Sequence, residues 1–272
     1  MLPPPKLLFR SLALGFLCFF CLGDFTVRGQ QPFVTDDADT TPKGKFHFEF
    51  SNEFDWLQRS AFPSLTQNTS DFEIDYGLLE DVEIGVAAPV LTIFNARGTT
   101  PERVTGMGDM NLSLKYNFLK EREKSRLPAF AVIVNLELPT GDTERGLGSG
   151  LTDVYINGVV QKSLTTRTKL RLNTGVLFSG NATTGAIGLR TRGLVITSAG
   201  SLVRQFNAKL QLGAELAGAF ARNAQLGKGQ LQGMFGGNYQ FRSNAGFDFG
   251  FVAGKYDASP RVGIQLGVSI DF

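Results

Sequence analysis

Arg261 to Phe272 reads R-V-G-I-Q-L-G-V-S-I-D-F. Val262, Ile264, Leu266, Val268, Ile270 and Phe272 alternate with Arg261, Gly263, Gln265, Gly267, Ser269 and Asp271, the period-2 pattern of a strand with one apolar face. The sequence stops on the last of those apolar residues, an aromatic. Bacterial outer-membrane barrels commonly close with a strand that ends in Phe, whereas soluble sandwiches rarely do. The rest of the chain is therefore read as strands built to meet this one.

Working back from that segment, alternation marks twelve strands: 44–56, 70–78, 81–93, 108–118, 128–138, 152–162, 168–178, 192–203, 206–220, 229–242, 245–256 and the closing stretch. In 108–118, Met110, Leu112, Leu114, Tyr116 and Phe118 face one way and Asn111, Ser113, Lys115 and Asn117 the other. The pattern is weaker in 152–162 and is most blurred in 192–203, by Thr197 to Ser201. Connections after odd strands are mostly long and rich in Gly, Thr, Ser and Asn, as in 57–69, 94–107, 139–151 and 179–191. Those after even strands are mostly short, as in 79–80 and 243–244. An even strand number, with short turns on the side of both termini, is the arrangement of an outer-membrane barrel.

The first 29 residues differ in kind: Lys6 and Arg10 precede the apolar run S-L-A-L-G-F-L-C-F-F-C-L-G (Ser11 to Gly23), too short to span a bilayer. This reads as a secretory signal cut near Gly29. Its removal takes both cysteines, and with them any disulfide or thiolate metal site. Of 27 basic and 25 acidic residues, loss of Lys6, Arg10, Arg28 and Asp24 leaves 24 of each. With no basic excess, nucleic acid is not an expected partner. Residues 30–43 (Q-Q-P-F-V-T-D-D-A-D-T-T-P-K) read as a solvated periplasmic leader. Asp36, Asp37 and Asp39 lack the glycine and terminal glutamate of a calcium loop.

From 44 to 272 the expected fold is one all-β domain, a closed antiparallel transmembrane barrel of about twelve strands. No later segment offers the roughly 18 apolar residues of a membrane helix, and lipid admits spanning strands only in closed barrels. Strands of roughly 9 to 13 residues suit a tilted membrane strand better than the roughly five or six of a soluble sandwich. Aromatics near strand ends, among them Trp56, Tyr116, Phe118, Phe178, Phe220, Tyr239, Phe241, Tyr256 and Phe272, suit interfacial girdles. The alternative is a secreted soluble β protein with a binding or surface-structural role. In a barrel, Glu49, Glu73, Asp75, Glu83, Lys115, Glu137, Lys169, Arg171, Glu215, Arg242 and Asp248 line the lumen and border any solute path. Those charges either set up a field across an open pore or pair and fill a small barrel.

Several segments resemble the meta-pathway phenol-degradation family of outer-membrane barrels, loosely called transporters. They are P-F-V-T-D-D (Pro32 to Asp37), D-Y-G-L (Asp75 to Leu78), D-V-E-I-G-V (Asp81 to Val86), M-G-D-M-N-L-S-L-K-Y-N-F (Met107 to Phe118), L-E-L-P-T-G-D (Leu136 to Asp142) and G-S-G-L-T-D (Gly148 to Asp153). In the second half only the strand pattern and the terminal Phe are similar. The resemblance implies an outer-membrane channel or uptake protein for small solutes, including hydrophobic or aromatic compounds, and supplies no catalytic residues. The expected partners are bilayer lipids, a small-molecule solute and, through the strand ending in Phe272, the barrel-assembly machinery.

No enzyme is read here. Outer-membrane phospholipases of twelve strands need serine, histidine and an orienting amide on the lipid-facing wall. The single histidine, His47, has Glu49 as its same-face neighbour and would lie on the lumen side. Gly146 to Gly150 lacks the Lys-Ser/Thr of a phosphate loop. Neither cofactor nor metal is expected.

Overall fold

The computed structural model describes residues 32–122, 126–179, 187, 193–221 and 229–272. The signal read from 1–29 lies outside them, as does most of the 179–191 connection. The strands are β1 (Phe46–Trp56), β2 (Ser64–Leu79), β3 (Val82–Asn95), β4 (Arg103–Met107), β5 (Met110–Leu119), β6 (Ala129–Leu138), β7 (Asp153–Thr165), β8 (Thr168–Ser179), β9 (Gly193–Gln205), β10 (Leu210–Ala221), β11 (Gln230–Arg242), β12 (Ala245–Gly254) and β13 (Val262–Asp271).

Leaving out β4, twelve strands pair in chain order and β13 pairs back onto β1, from His47 opposite Asp271 to Trp56 opposite Val262. Closure removes every wall edge, which lipid would otherwise leave unpaired. At the periplasmic rim the seam is covered by aromatics: Phe46 stacks on Phe272 at 5.6 Å and packs on Tyr76 at 4.7 Å.

The faces are those of a membrane barrel. Leu112, Leu114, Ile264 and Leu266 stand exposed on the outer wall. Glu49, Ser51, Lys115, Arg171, Asp248 and Ser269 are buried within. A soluble β protein would reverse this, so that alternative is set aside.

Two connections are shorter than the alternation suggested. Strand β2 begins at Ser64, and β4 pairs with Val90–Phe94 of β3 inside the stretch read as the loop 94–107. Both extensions are polar or mixed, S-L-T-Q-N-T and R-V-T-G-M, so they lack the lipid-facing alternation by which a strand is recognised. They are fixed by ladder pairing instead: Trp56 lies opposite Thr66, and Phe94 opposite Arg103. Between β4 and β5, the buried Asp109 carboxylate accepts hydrogen bonds from Gly141 N at 2.8 Å and Ser149 N at 2.5 Å. That ties the 139–152 connection to the wall.

Candidate functional site

Residues 32–43 are not a solvated leader. They form a strap inside the barrel, in which Thr35, Asp37 and Ala38 are buried. The strap leaves the wall at the periplasmic rim, where Gly44 N donates to Gly77 O at 2.7 Å. It then runs inward until Pro32 and Phe33 lie near mid-height.

Twelve residues in coil cannot satisfy one another's backbone and side-chain polar groups, so these must find partners on the wall. Glu215 of β10 accepts from Val34 N at 3.1 Å, from Thr35 N at 2.6 Å and from the Thr35 hydroxyl. Glu83 of β3 accepts from Thr41 N at 2.6 Å, and Asn117 of β5 donates to Ala38 O at 2.5 Å.

The strap's acids meet the wall's bases. Asp37 lies 3.2 Å from Arg171 and 3.9 Å from Lys115. Lys115 in turn lies 3.3 Å from Glu83, its register partner across β3 and β5. Asp39 lies 3.4 Å from Lys169 and accepts from Gln161 Nε2 at 3.2 Å. Burial pushes the Asp36 carboxyl up to about 6 against the opposing pull of Lys115. Among the described residues no cluster of acids and histidines is arranged to hold a metal ion.

Close approach of the strap depends on missing side chains. Pro32 lies against Gly236 of β11 and Gly250 of β12, where an added Cβ would come within 2.7 Å and 2.9 Å of its ring. A Cβ does not sit that close to another heavy atom, so a larger residue at Gly250 displaces Pro32, and one at Gly236 also meets the Phe249 carbonyl of the neighbouring strand. Phe33 completes a small apolar cluster with Val203, Met234 and Val252.

The strap divides the lumen. At the periplasmic mouth lies a cavity of about 1020 Å³ bordered by Asp39, Lys120, Glu121, Arg122, Lys162 and Lys169. Two smaller ones lie on the other side. One, of about 340 Å³, is lined by Tyr155, Leu177, Ala217, Ala219 and Ala258 with Asn157 and Asn173. The other, of about 380 Å³, mixes carboxylates with Phe33, Leu91 and Met234.

Of the eleven residues read as lumen-lining, Glu83, Lys115, Lys169, Arg171 and Glu215 hold the strap. Glu49 contacts His47 at 2.8 Å, and His47 also contacts Asp271 at 2.5 Å, forming a buried row beside Asp75 at the seam. Asp248 accepts from Asn238 at 2.7 Å. Glu137 lines both upper cavities, and Glu73 keeps the inward parity of β2. Arg242 departs from the expectation and is exposed at the rim. A bulge between Gln240 and Arg242 inserts one residue and shifts the parity of the strand end. Sequence reasoning missed the strap residues Thr35, Asp37 and Ala38. The available signal was three aspartates near the N-terminus matched by lone bases at Lys115, Lys169 and Arg171.

A family model described as "Putative MetA-pathway of phenol degradation" matches residues 32–272. The chain belongs to that family. Its match begins at Pro32, so family membership takes in the strap together with the wall. Among solved structures, the COG4313 outer membrane channel from Pseudomonas putida F1 is similar at a TM-score of 0.70 and 14% identity, covering 88% of this chain and 100% of that one. The NanC porin follows at 0.57 and 9% identity, covering 82% and 98%, and the KdgM porin at 0.53 and 10%, covering 83% and 99%. No curated protein matches in sequence. The fold is that of outer-membrane channels and porins.

Proposed function

We propose that this barrel takes up small apolar or aromatic solutes across the outer membrane, with the strap-filled lumen as its closed state. The carrying observation is the upper cavity beside Leu177, Val195, Ala219, Ala258 and Tyr155, an inward-facing apolar cluster where a hydrophilic porin would place polar groups. A solute entering there meets Asp36, Glu137, Asn157 and Asn173 beside the apolar patch, and apolar surface with a few placed polar groups is the usual lining of a small-molecule site. Glu137 borders the path above the strap. Lys169 borders the cavity at the periplasmic mouth, and Glu83, Lys115 and Arg171 border the path only once the strap has moved, since until then they are engaged with it or with one another. The family's description, with its reference to phenol degradation, supports an aromatic solute.

The test is accumulation of phenylnaphthylamine, a neutral aromatic that an intact outer leaflet excludes, in cells with and without the chain. Faster accumulation with the chain is expected. Unchanged accumulation, with pentose sugars admitted instead, overturns the reading.

The C-terminal strand ending in Phe272 is proposed as the segment met by the assembly machinery. Deleting Phe272 is expected to lower the yield of folded barrel in cells while leaving refolding from urea in detergent possible. Equal yields in cells would refute this.

A further inference from the structure

The periplasmic rim is charged unevenly around its circumference. On one side the β2–β3 turn carries Glu80 and Asp81, and Lys120 from the turn after β5 pairs with Asp81 at 2.5 Å. On the other side three turns in succession, within 164–170, 202–210 and 239–246, contain no Asp or Glu. They carry Arg167, Arg204, Lys209 and Arg242, all exposed and none in an ion pair among the described residues.

Backbone bonds make these four neighbours. The Arg167 carbonyl accepts from Gln205 N at 2.8 Å, beside Arg204, and the Lys209 carbonyl accepts from Gln240 N at 2.7 Å, two residues before Arg242. With adjacent strands about 4.8 Å apart, the bases run along β8 to β11 over roughly 15 Å. Each lies close enough to the next to act with it inside a screening length of about 10 Å. Nothing on the protein offsets their charge.

Their height is set by the outer wall. Leu202, Phe206, Tyr239 and Phe241 stand exposed beside them, and the Arg204 guanidinium lies 5.7 Å from the centre of the Phe206 ring. Such side chains belong at the boundary between acyl chains and headgroups, which brings the bases level with lipid phosphates. That flank favours a lipid over an acidic soluble protein, because it fixes the bases at the bilayer surface.

We propose that this arc binds an anionic phospholipid of the periplasmic leaflet, one whose phosphate is not offset by a headgroup amine. Clustered Lys and Arg at a membrane surface attract such lipids by charge, and Arg adds paired N–H donors that fit phosphate oxygens. The arc faces away from the lumen, so the inference stands apart from any solute the barrel carries.

The test is native mass spectrometry of the full barrel, released from detergent containing equal amounts of phosphatidylglycerol and phosphatidylethanolamine with identical acyl chains. Bound phosphatidylglycerol is expected in roughly fivefold excess or more, the factor that one base at the surface contributes. Arg204→Gln combined with Arg242→Gln is expected to abolish that excess, with heat-modifiable gel migration showing a closed barrel. Should this pair lack the folded band, Arg167→Gln with Lys209→Gln decides by the same criterion. Arg59→Gln with Arg97→Gln removes two exposed bases from the long-loop side and is expected to leave the excess unchanged. Equal retention of the two lipids by wild type, a folded rim variant that keeps the preference, or its loss in the long-loop variant overturns the proposal. Release of the lipid by excess glycerol phosphate or polyglutamate overturns it too, marking a site for soluble anions or for acidic protein.

Discussion

Glu215→Ala removes the acceptor for three strap donors at once: Val34 N, Thr35 N and the Thr35 hydroxyl. Hydrogen bonds to a charged group contribute roughly 1.5–3 kcal/mol each. Released donors recover part of that from lumen water, so the lower end applies and the loss is about 4–5 kcal/mol. At about 1.4 kcal/mol per tenfold change, the population in which residues 32–36 have left the wall should rise by about three orders of magnitude. Asp37 and Asp39 still hold the strap's lower half to Arg171 and Lys169, so the expected behaviour is frequent transient opening rather than a permanently open pore. Single-channel recording in planar bilayers reads this directly. Wild type should be mostly closed, Glu215→Ala should open in bursts, and a chain lacking 32–40 should set the fully open conductance. Identical open probability in wild type and Glu215→Ala, with the deletion plainly conducting, would refute the view that Glu215 latches the strap.

Gly250→Leu places a side chain where Pro32 sits, so it should raise conductance without loss of heat-modifiable migration, measured in the same bilayers. The strap should also respond to pH through Asp36, which faces Asp37, Glu83, Lys115 and Arg171. Its carboxyl titrates near 6 in the folded barrel against 3.8 ordinarily. The folded state therefore favours the protonated form, and seating weakens as pH rises from about 4 through 6. Open probability should increase over that window, and Asp36→Asn should abolish the part of the change due to this group. On the outer wall, Leu114→Arg should cost roughly 2–4 kcal/mol near mid-bilayer, read from urea titration of the barrel in lipid vesicles. An unaffected midpoint would mean that this face does not meet lipid.

Alternation in the sequence was sufficient for the wall. Whether a side chain meets lipid or lumen is settled by parity within its own strand, so the faces of Leu112, Lys115, Ile264 and Gln265 could be read one strand at a time. Parity failed where that local rule is interrupted, at the bulge before Arg242. It was uninformative in the polar extension of β2 and in β4, where neither face needs to be apolar.

The sequence by itself determined the closed barrel, its twelve strands and the identity of most lumen residues, because a bilayer outside and water or protein inside impose a period-2 signal on every spanning segment. Only the tertiary structure decided what fills the lumen. The strap has no periodicity, and its partners lie far away in the chain: Thr35 bonds Glu215 across 180 positions, and Asp37 meets Arg171 across 134. The same holds for the upper cavity of about 380 Å³, where Glu53 and Asp55 of β1 come near Met234 of β11 only once the wall has closed. Such juxtapositions follow from register and closure, which join residues that no local pattern relates.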